Sequence, residues 1–296
     1  MKPQGRTFET MSWPQRFLVL AVLAWFCLLI LGPAAALLRR ALAPGLGAFV
    51  DALTQPDALE SLLLTGKITL IVTICNTIFG IAMALVLVRQ RFWGHRLMDA
   101  MLDMPFAVSP IIAGLMLVIL YGPRSSLGGW LDSIGIPIVY HLPGMILAGL
   151  FVTLPLVVRS IVPILEEVGS DQEEVASTLG AGPWVTFCRV TFPTIRWGIA
   201  YGAAMVVARC LGEFGALLVV SGNVIGRTQT ATLYVHEQVE SFEPYGAFAM
   251  STVLAGVSFV LLIGLELLQN HIRRRQFADD NNEISIAGPI KPTRRH

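Results

Sequence analysis

Glu174-Val-Ala-Ser-Thr-Leu-Gly180, followed after nine residues by Val190-Thr-Phe-Pro193, decides how the rest of this sequence is read. It is a polar segment between long apolar runs. Asp171 can serve as N-cap of a short helix, with Glu174 three positions on completing a capping box. The helix, over about Gln172–Leu179, ends at Gly180, the residue type that best accepts a left-handed C-terminal cap. Pro183 suits the first turn of a second helix, which runs to about Val190 before Pro193 directs the chain into the next apolar run. A structured polar helix pair between membrane spans implies that something docks on it. An ordinary capped interfacial loop would account for the capping box, which is common, but not for the added spacing to Val190 and Pro193.

Outward from this segment the chain is apolar. Of its 296 residues 54% are hydrophobic and 14% charged, where soluble domains carry about 25% charge. The mean hydropathy is +0.67. Runs of about 20 residues, enough to cross a bilayer, recur along the chain. Six spans are placed, over about Phe17–Leu38, Leu62–Val88, Phe106–Tyr121, Gly144–Val158, Trp197–Val220 and Ala247–Leu268. The third and fourth are short and interrupted by Pro, Gly or Ser. The first is too long, and its flank too poor in cleavage signals, for a signal peptide, and is read as a retained helix.

Three regions follow. Residues 1–58 hold the N-terminus, the first span and an outer loop. Residues 59–268 form the transmembrane domain, with the docking loop at 170–193. Residues 269–296 form a basic tail expected to be disordered, its polar end starting at Glu283. Basic residues set the orientation. With both termini in the cytoplasm, the inner side carries Lys2, Arg6, Arg16, Arg89, Arg91, Arg96, Arg159, Arg189, Arg196, Arg273, Arg274, Arg275 and the basic residues of the tail. The outer side carries only Arg39, Arg40, Lys67, Arg124 and Arg227. The Arg39-Arg40 pair runs against the rule, but the total bias puts the Glu174 segment inside.

Several activities are excluded. Gly66-Lys67 lacks a P-loop context, because Ser61 stands at its first glycine position and Ile68 at its Ser/Thr position. Gly180 and Gly182 are followed by Val185 where a dinucleotide fingerprint needs glycine. No metalloprotease or nucleophile-elbow motif is present, so an intramembrane enzyme has no support. Cys27, Cys75, Cys188 and Cys210 have no paired or metal-ligand spacing. The net charge of +1 gives no footprint for nucleic acid.

Ala208-Arg-Cys-Leu-Gly-Glu-Phe-Gly-Ala216 is the second unusual stretch. Arg209 and Glu213 are four apart and would share a helix face. An ionised side chain near the bilayer centre costs about 2.5–3.5 kcal/mol on insertion scales, so the pair belongs in a bundle interior or an aqueous route. Gly212 and Gly215 would let a neighbouring helix approach closely. Two readings stay open: an ion pair that locks the helices, or a pair that lines or gates a pathway, with Arg209 favouring an anion.

Taken with Leu102-Asp-Met-Pro-Phe-Ala-Val-Ser-Pro110, Ala113-Gly-Leu115, Leu127-Gly-Gly-Trp-Leu-Asp132 and Val219-Val-Ser-Gly222, the sequence resembles the sulfate/thiosulfate permease family of binding-protein-dependent ABC importers, in particular its CysW-type subunits. The docking loop resembles that family's EAA motif, with Val175, Val190 and Phe192 as apolar departures, and Gly226-Arg-Thr-Gln-Thr-Ala-Thr-Leu233 departs from the family's outer loop. The resemblance implies an all-α membrane protein of the type I ABC importer permease fold, with six transmembrane helices and a cytoplasmic coupling helix, in a bacterial inner membrane. It implies a second permease of similar topology, two copies of a cytoplasmic ATPase, and an extracytoplasmic sulfate/thiosulfate-binding protein. This chain would bind no cofactor, and ATP would be used by the partner ATPase. The implied ATPase-docking residues are Asp171, Glu174, Ala176, Leu179, Gly180, Val190 and Pro193. The implied pathway or gate residues are Ser109, Pro110, Arg209, Gly212, Glu213, Phe214 and Gly215. Molybdate, tungstate or another oxyanion is the alternative cargo. A more distant alternative, an ion-gradient-driven transporter, would show an inverted repeat and discontinuous helices at midplane sites, and no internal repeat is evident.

Overall fold

The computed structural model describes residues 12–242 and 244–286, and among these every regular element is helical. In chain order they are α1 (Trp13–Leu42), α2 (Leu46–Thr54), α3 (Pro56–Arg89), α4 (His95–Leu102), α5 (Met104–Ala107), α6 (Pro110–Tyr121) and α7 (Ser126–Ser133). They continue with α8 (Leu142–Val168), α9 (Asp171–Thr178), α10 (Pro183–Thr186), α11 (Phe192–Leu211), α12 (Gly215–Val220), α13 (Ala231–Glu240) and α14 (Pro244–Ile286).

Helices α3, α8 and α11 form the core. Val72, Met145, Val157, Val158, Ile161, Leu165, Ile195 and Val206 are almost fully buried between them. Small residues set how closely the three approach, as membrane helix packing requires. A Cβ on Gly80 would stand 2.7 Å from a Val157 methyl, and one on Gly202 would stand 2.9 Å from the Val157 Cα. Asn76 is paired within this core, its Nδ2 donating to Thr153 Oγ1 at 2.7 Å and to the Leu150 carbonyl at 3.3 Å, whereas the buried Thr69 and Thr73 hydroxyls on the same helix have no hydrogen-bond partner.

Four helical stretches among the described residues are long and apolar enough to cross a membrane unaided: Trp13–Leu42, Pro56–Arg89, Leu142–Val168 and Pro244–Gly264. The other two expected spans are corrected. In place of one helix over Phe106–Tyr121, the stretches His95–Ala107 and Pro110–Tyr121 meet at 112°. Pro110 holds Ser109 in extended backbone (φ −59°, ψ 137°), which stops the helix. In place of one helix over Trp197–Val220, α11 stops at Leu211 and α12 restarts at Gly215. The expected fourth span was too short at its far end, since α8 continues past Val158 to Val168 despite Pro155 and Pro163.

Two π turns, Cys27–Leu31 within α1 and Phe187–Thr191 between α10 and α11, each come just before an x-Pro pair, Gly32-Pro33 and Phe192-Pro193. Proline has no N–H to give and its ring crowds the preceding turn. A locally widened turn accommodates that crowding without ending the helix. Pro193 therefore continues a helix instead of redirecting the chain. Helix α14 likewise runs through 269–286, where a disordered tail was expected, and residues 287–296 lie outside the described residues.

Candidate functional site

The loop after α8 is built much as its sequence suggests, with one change at its start. Ser170, not Asp171, is the N-cap of α9, and no side chain makes the capping-box bonds. Asp171 is the first helical residue. Glu174 donates its N–H to the Ser170 carbonyl at 2.9 Å, and its Oε1 accepts from Ser170 Oγ at 2.7 Å. Asp171, Glu173 and Glu174 thus sit in the first turn, where the helix dipole favours negative charge.

The far end is a Schellman cap. Gly180 takes φ +84°, its N–H donates to the Ser177 carbonyl, and the Ala181 N–H donates to the Ala176 carbonyl, both at 3.0 Å. This closure leaves Leu179 84% exposed, and across the turn Trp184 is 75% exposed and stacked on Phe187 at 5.8 Å. Val175 is also exposed, Ala176 and Val190 are half-buried, and Pro193 is exposed. Leu179, Trp184 and Val175 are thus apolar side chains exposed on an otherwise polar loop.

The inward face of α9 was not identified from the sequence. Arg89, the last residue of α3, reaches Glu173 through Nε (3.0 Å to Oε2) and Nη2 (3.3 Å to Oε1). It also donates to the Gly169 carbonyl at 2.7 Å and the Leu165 carbonyl at 3.3 Å. Thr191 Oγ1 donates to Glu173 Oε1 at 2.8 Å. The only hint in the sequence was the spacing of Glu173 and Ala176, which sets both on one face of α9.

The second candidate cluster lies where two broken helices meet. Gly215, at the start of α12, packs on Pro110, at the start of α6: a Cβ added to it would stand 3.1 Å from the Pro110 Cβ. Gly114 faces the Ala216 carbonyl in the same way, at 2.7 Å. The structure therefore joins Pro110 and Gly215, singled out on separate grounds, in one contact, with Ser109 exposed beside it.

Arg209 Nη1 stands 2.8 Å from Glu213 Oε2, but the pair spans the helix break instead of sharing a helix face. The contact is an ion pair without hydrogen-bond alignment. Glu213 Oε1 instead accepts the Ala216 N–H at 2.9 Å, capping α12, and the Glu213 carbonyl accepts from Thr232 Oγ1 at 2.7 Å. Phe214 meets His236 edge-on at 5.1 Å. Gly212, Phe214, Thr232 and His236 border a mostly apolar cavity of about 520 Å³ between α11, α13 and α14.

The sequence model of the family described as "Binding-protein-dependent transport system inner membrane component" matches residues 76–277. The "Sulfate transport system permease protein CysW" of Synechocystis sp. is 41% identical over 265 residues, covering 88% of this chain and 96% of that one. The protein of the same name from Escherichia coli K12 is 37% identical, covering 90% and 91%. The "Sulfate transport system permease protein CysT" of E. coli K12 is 34% identical, covering 86% and 91%. A chain of the crystal structure of a bacterial alginate ABC transporter, in complex with an alginate pentasaccharide-bound periplasmic protein, has the same fold: TM-score 0.71 at 17% identity, covering 89% and 94%.

Proposed function

The chain belongs to the binding-protein-dependent transport system inner membrane components, and from that membership we propose that it is the permease subunit of an ATP-driven importer of sulfate or thiosulfate. The observation that carries the cargo is the similarity over nearly the whole chain to permeases named for sulfate transport. Permeases of this family are non-catalytic membrane subunits, so the chemistry of ATP hydrolysis belongs to a partner. Similarity to both CysW and CysT fits pairing with a second permease of the same fold.

In this reading α9 is the coupling helix. The Gly180 cap presents Leu179 and, across the turn, Trp184 to a cytoplasmic ATPase. Two such loops, one from each permease, are drawn together when the ATPase pair closes on ATP. The pathway then switches from inward-facing to outward-facing and receives an anion from an extracytoplasmic binding protein. The meeting of two broken helices at Pro110 and Gly215 supports a gate there, because a helix break is a natural place for a pathway to change shape. Specificity rests mainly with the binding protein, since the cavity beside Glu213 is too apolar to replace the hydration of a dianion.

Deleting the chain is expected to abolish high-affinity uptake of labelled sulfate, and restoring it should rescue uptake only with its partner subunits and ATP. Competition with thiosulfate, molybdate and tungstate fixes the cargo. Uptake restored by this chain alone, and surviving ATP depletion while the ion gradient is held, would overturn the importer reading.

A further inference from the structure

We propose that Arg89 is a positioning residue for transport, a clamp that makes the docking helix α9 move as one body with the membrane helices. The proposal rests on α9 being the site of ATPase docking. Four segments converge on this guanidinium: α3 carries it, the end of α8 supplies the Leu165 and Gly169 carbonyls, α9 supplies Glu173, and the start of α11 supplies Thr191 through Glu173.

Each nitrogen of the fork has a target. Nε and Nη2 engage the carboxylate, while Nη1 and Nη2 engage the two carbonyls. A planar fork of fixed donors suits this and a point-like ammonium does not. The carbonyls are those a helix C-terminus leaves unpaired, so the arginine also neutralises the negative end of α8. Arg89 and Glu173 are only 21% and 23% exposed, so water screens the pair weakly. The space left inside the cluster, about 10 Å³, holds at most one water and no ligand. The cluster is therefore a joint and not a binding site.

The joint has a mechanical consequence. Leu179 and Trp184 project from the outer face of the loop, while Glu173 holds its inner face to Arg89 of α3 and to Thr191 just before α11, and Arg89 in turn holds the end of α8. A pull on α9 reaches α3 and α8 directly only while this joint is closed. With it open, α9 passes force only through residues 180–182 to α10 and the helical turns that lead into α11, and part of the ATPase motion is spent in the loop.

The test uses the complete importer in vesicles. Arg89→Gln and Glu173→Gln are expected to leave ATPase recovery and hydrolysis near wild type while sulfate moved per ATP falls about tenfold, the upper order for mutations within a coupling network. Arg89→Lys should not restore coupling, whereas the exchange Arg89→Glu with Glu173→Arg should restore part of it. A second measurement does not depend on how the variants fold. Spin labels at Gln90→Cys and Ser177→Cys, with the native cysteines replaced, should give one narrow distance that is the same with and without trapped ATP. A distance that shifts on ATP trapping, or an unchanged ratio of sulfate to ATP in both single variants of an intact complex, would overturn the clamp and leave the docking reading standing. A wild-type chain that recovers no ATPase would overturn the docking reading, and the clamp with it.

Discussion

Glu213 and Arg209 form a close pair in unequal surroundings: the glutamate side chain is 3% exposed and the arginine 38%. Removing one partner of such a pair harms more than removing both, because a charge is stranded in a poorly solvated place. The asymmetry gives the single changes an order. Arg209→Met strands a buried carboxylate, whereas Glu213→Gln leaves an arginine that still reaches water and keeps an oxygen for the Ala216 N–H. Arg209→Met is therefore expected to be the worse single change, with the double variant milder than Arg209→Met alone. A double-mutant cycle on complex stability should give a coupling of about 1–2 kcal/mol. Additive effects of the two single changes would remove the pair from any role in holding or gating the break.

Helix α9 is eight residues long, too short to hold its shape alone. Its C-terminal shape is closed by the cap at Gly180, while Glu173 on Arg89 and Thr191 fixes where the helix sits against the bundle. Gly180 has nothing within 4 Å of the place a Cβ would occupy. The cost of a side chain there is thus purely conformational, about 1–2 kcal/mol for an L-residue held in the left-handed region. Recovery of the ATPase with the permease should fall in the order Gly, Asn, Ala, Val at this position, with Gly180→Val about tenfold below wild type, while membrane insertion is unchanged. Equal recovery from Gly180→Asn and Gly180→Val would show that the cap does not set the docking surface. The same economy of short elements governs the meeting of the two broken helices, where α12, six residues long, is held by the Glu213 side chain at its start and by Gly114 against its backbone.

At the scale of the molecule, α3 is the ruler. Its 34 residues span about 51 Å at 1.5 Å per residue, well beyond the ~30 Å of hydrocarbon. One end meets the start of α13, where the Ala231 N–H donates to Thr65 Oγ1, and the other holds α9 through Arg89. Ser177 and Arg227, both exposed, therefore lie at opposite ends of the bundle. With the native cysteines replaced, a membrane-impermeant thiol reagent should label Ser177→Cys only in inside-out vesicles and Arg227→Cys only in right-side-out ones. The reverse pattern would invert the orientation taken from the loop charges.

Composition and apolar runs by themselves determined that this is a helical membrane protein. Those signals are local: a run of about 20 apolar residues has few other homes. The Gly180 cap was equally legible, because glycine past a polar helix answers to the backbone of its own turn. What only the tertiary structure decided depends on residues far apart in the chain. Ser170 displaced Asp171 as N-cap because the chain leaving α8 at Gly169 is held by Arg89, 80 positions away. Two of the expected spans broke at Ser109-Pro110 and Gly212–Phe214. Hydropathy cannot register this, since backbone freed at one break packs against the other. For the same reason Arg89 counted only toward the charge bias of the inner side, and Glu173 was not singled out. A sequence gives the charge of each residue, and only the packed bundle brings their opposite signs to 3.0 Å.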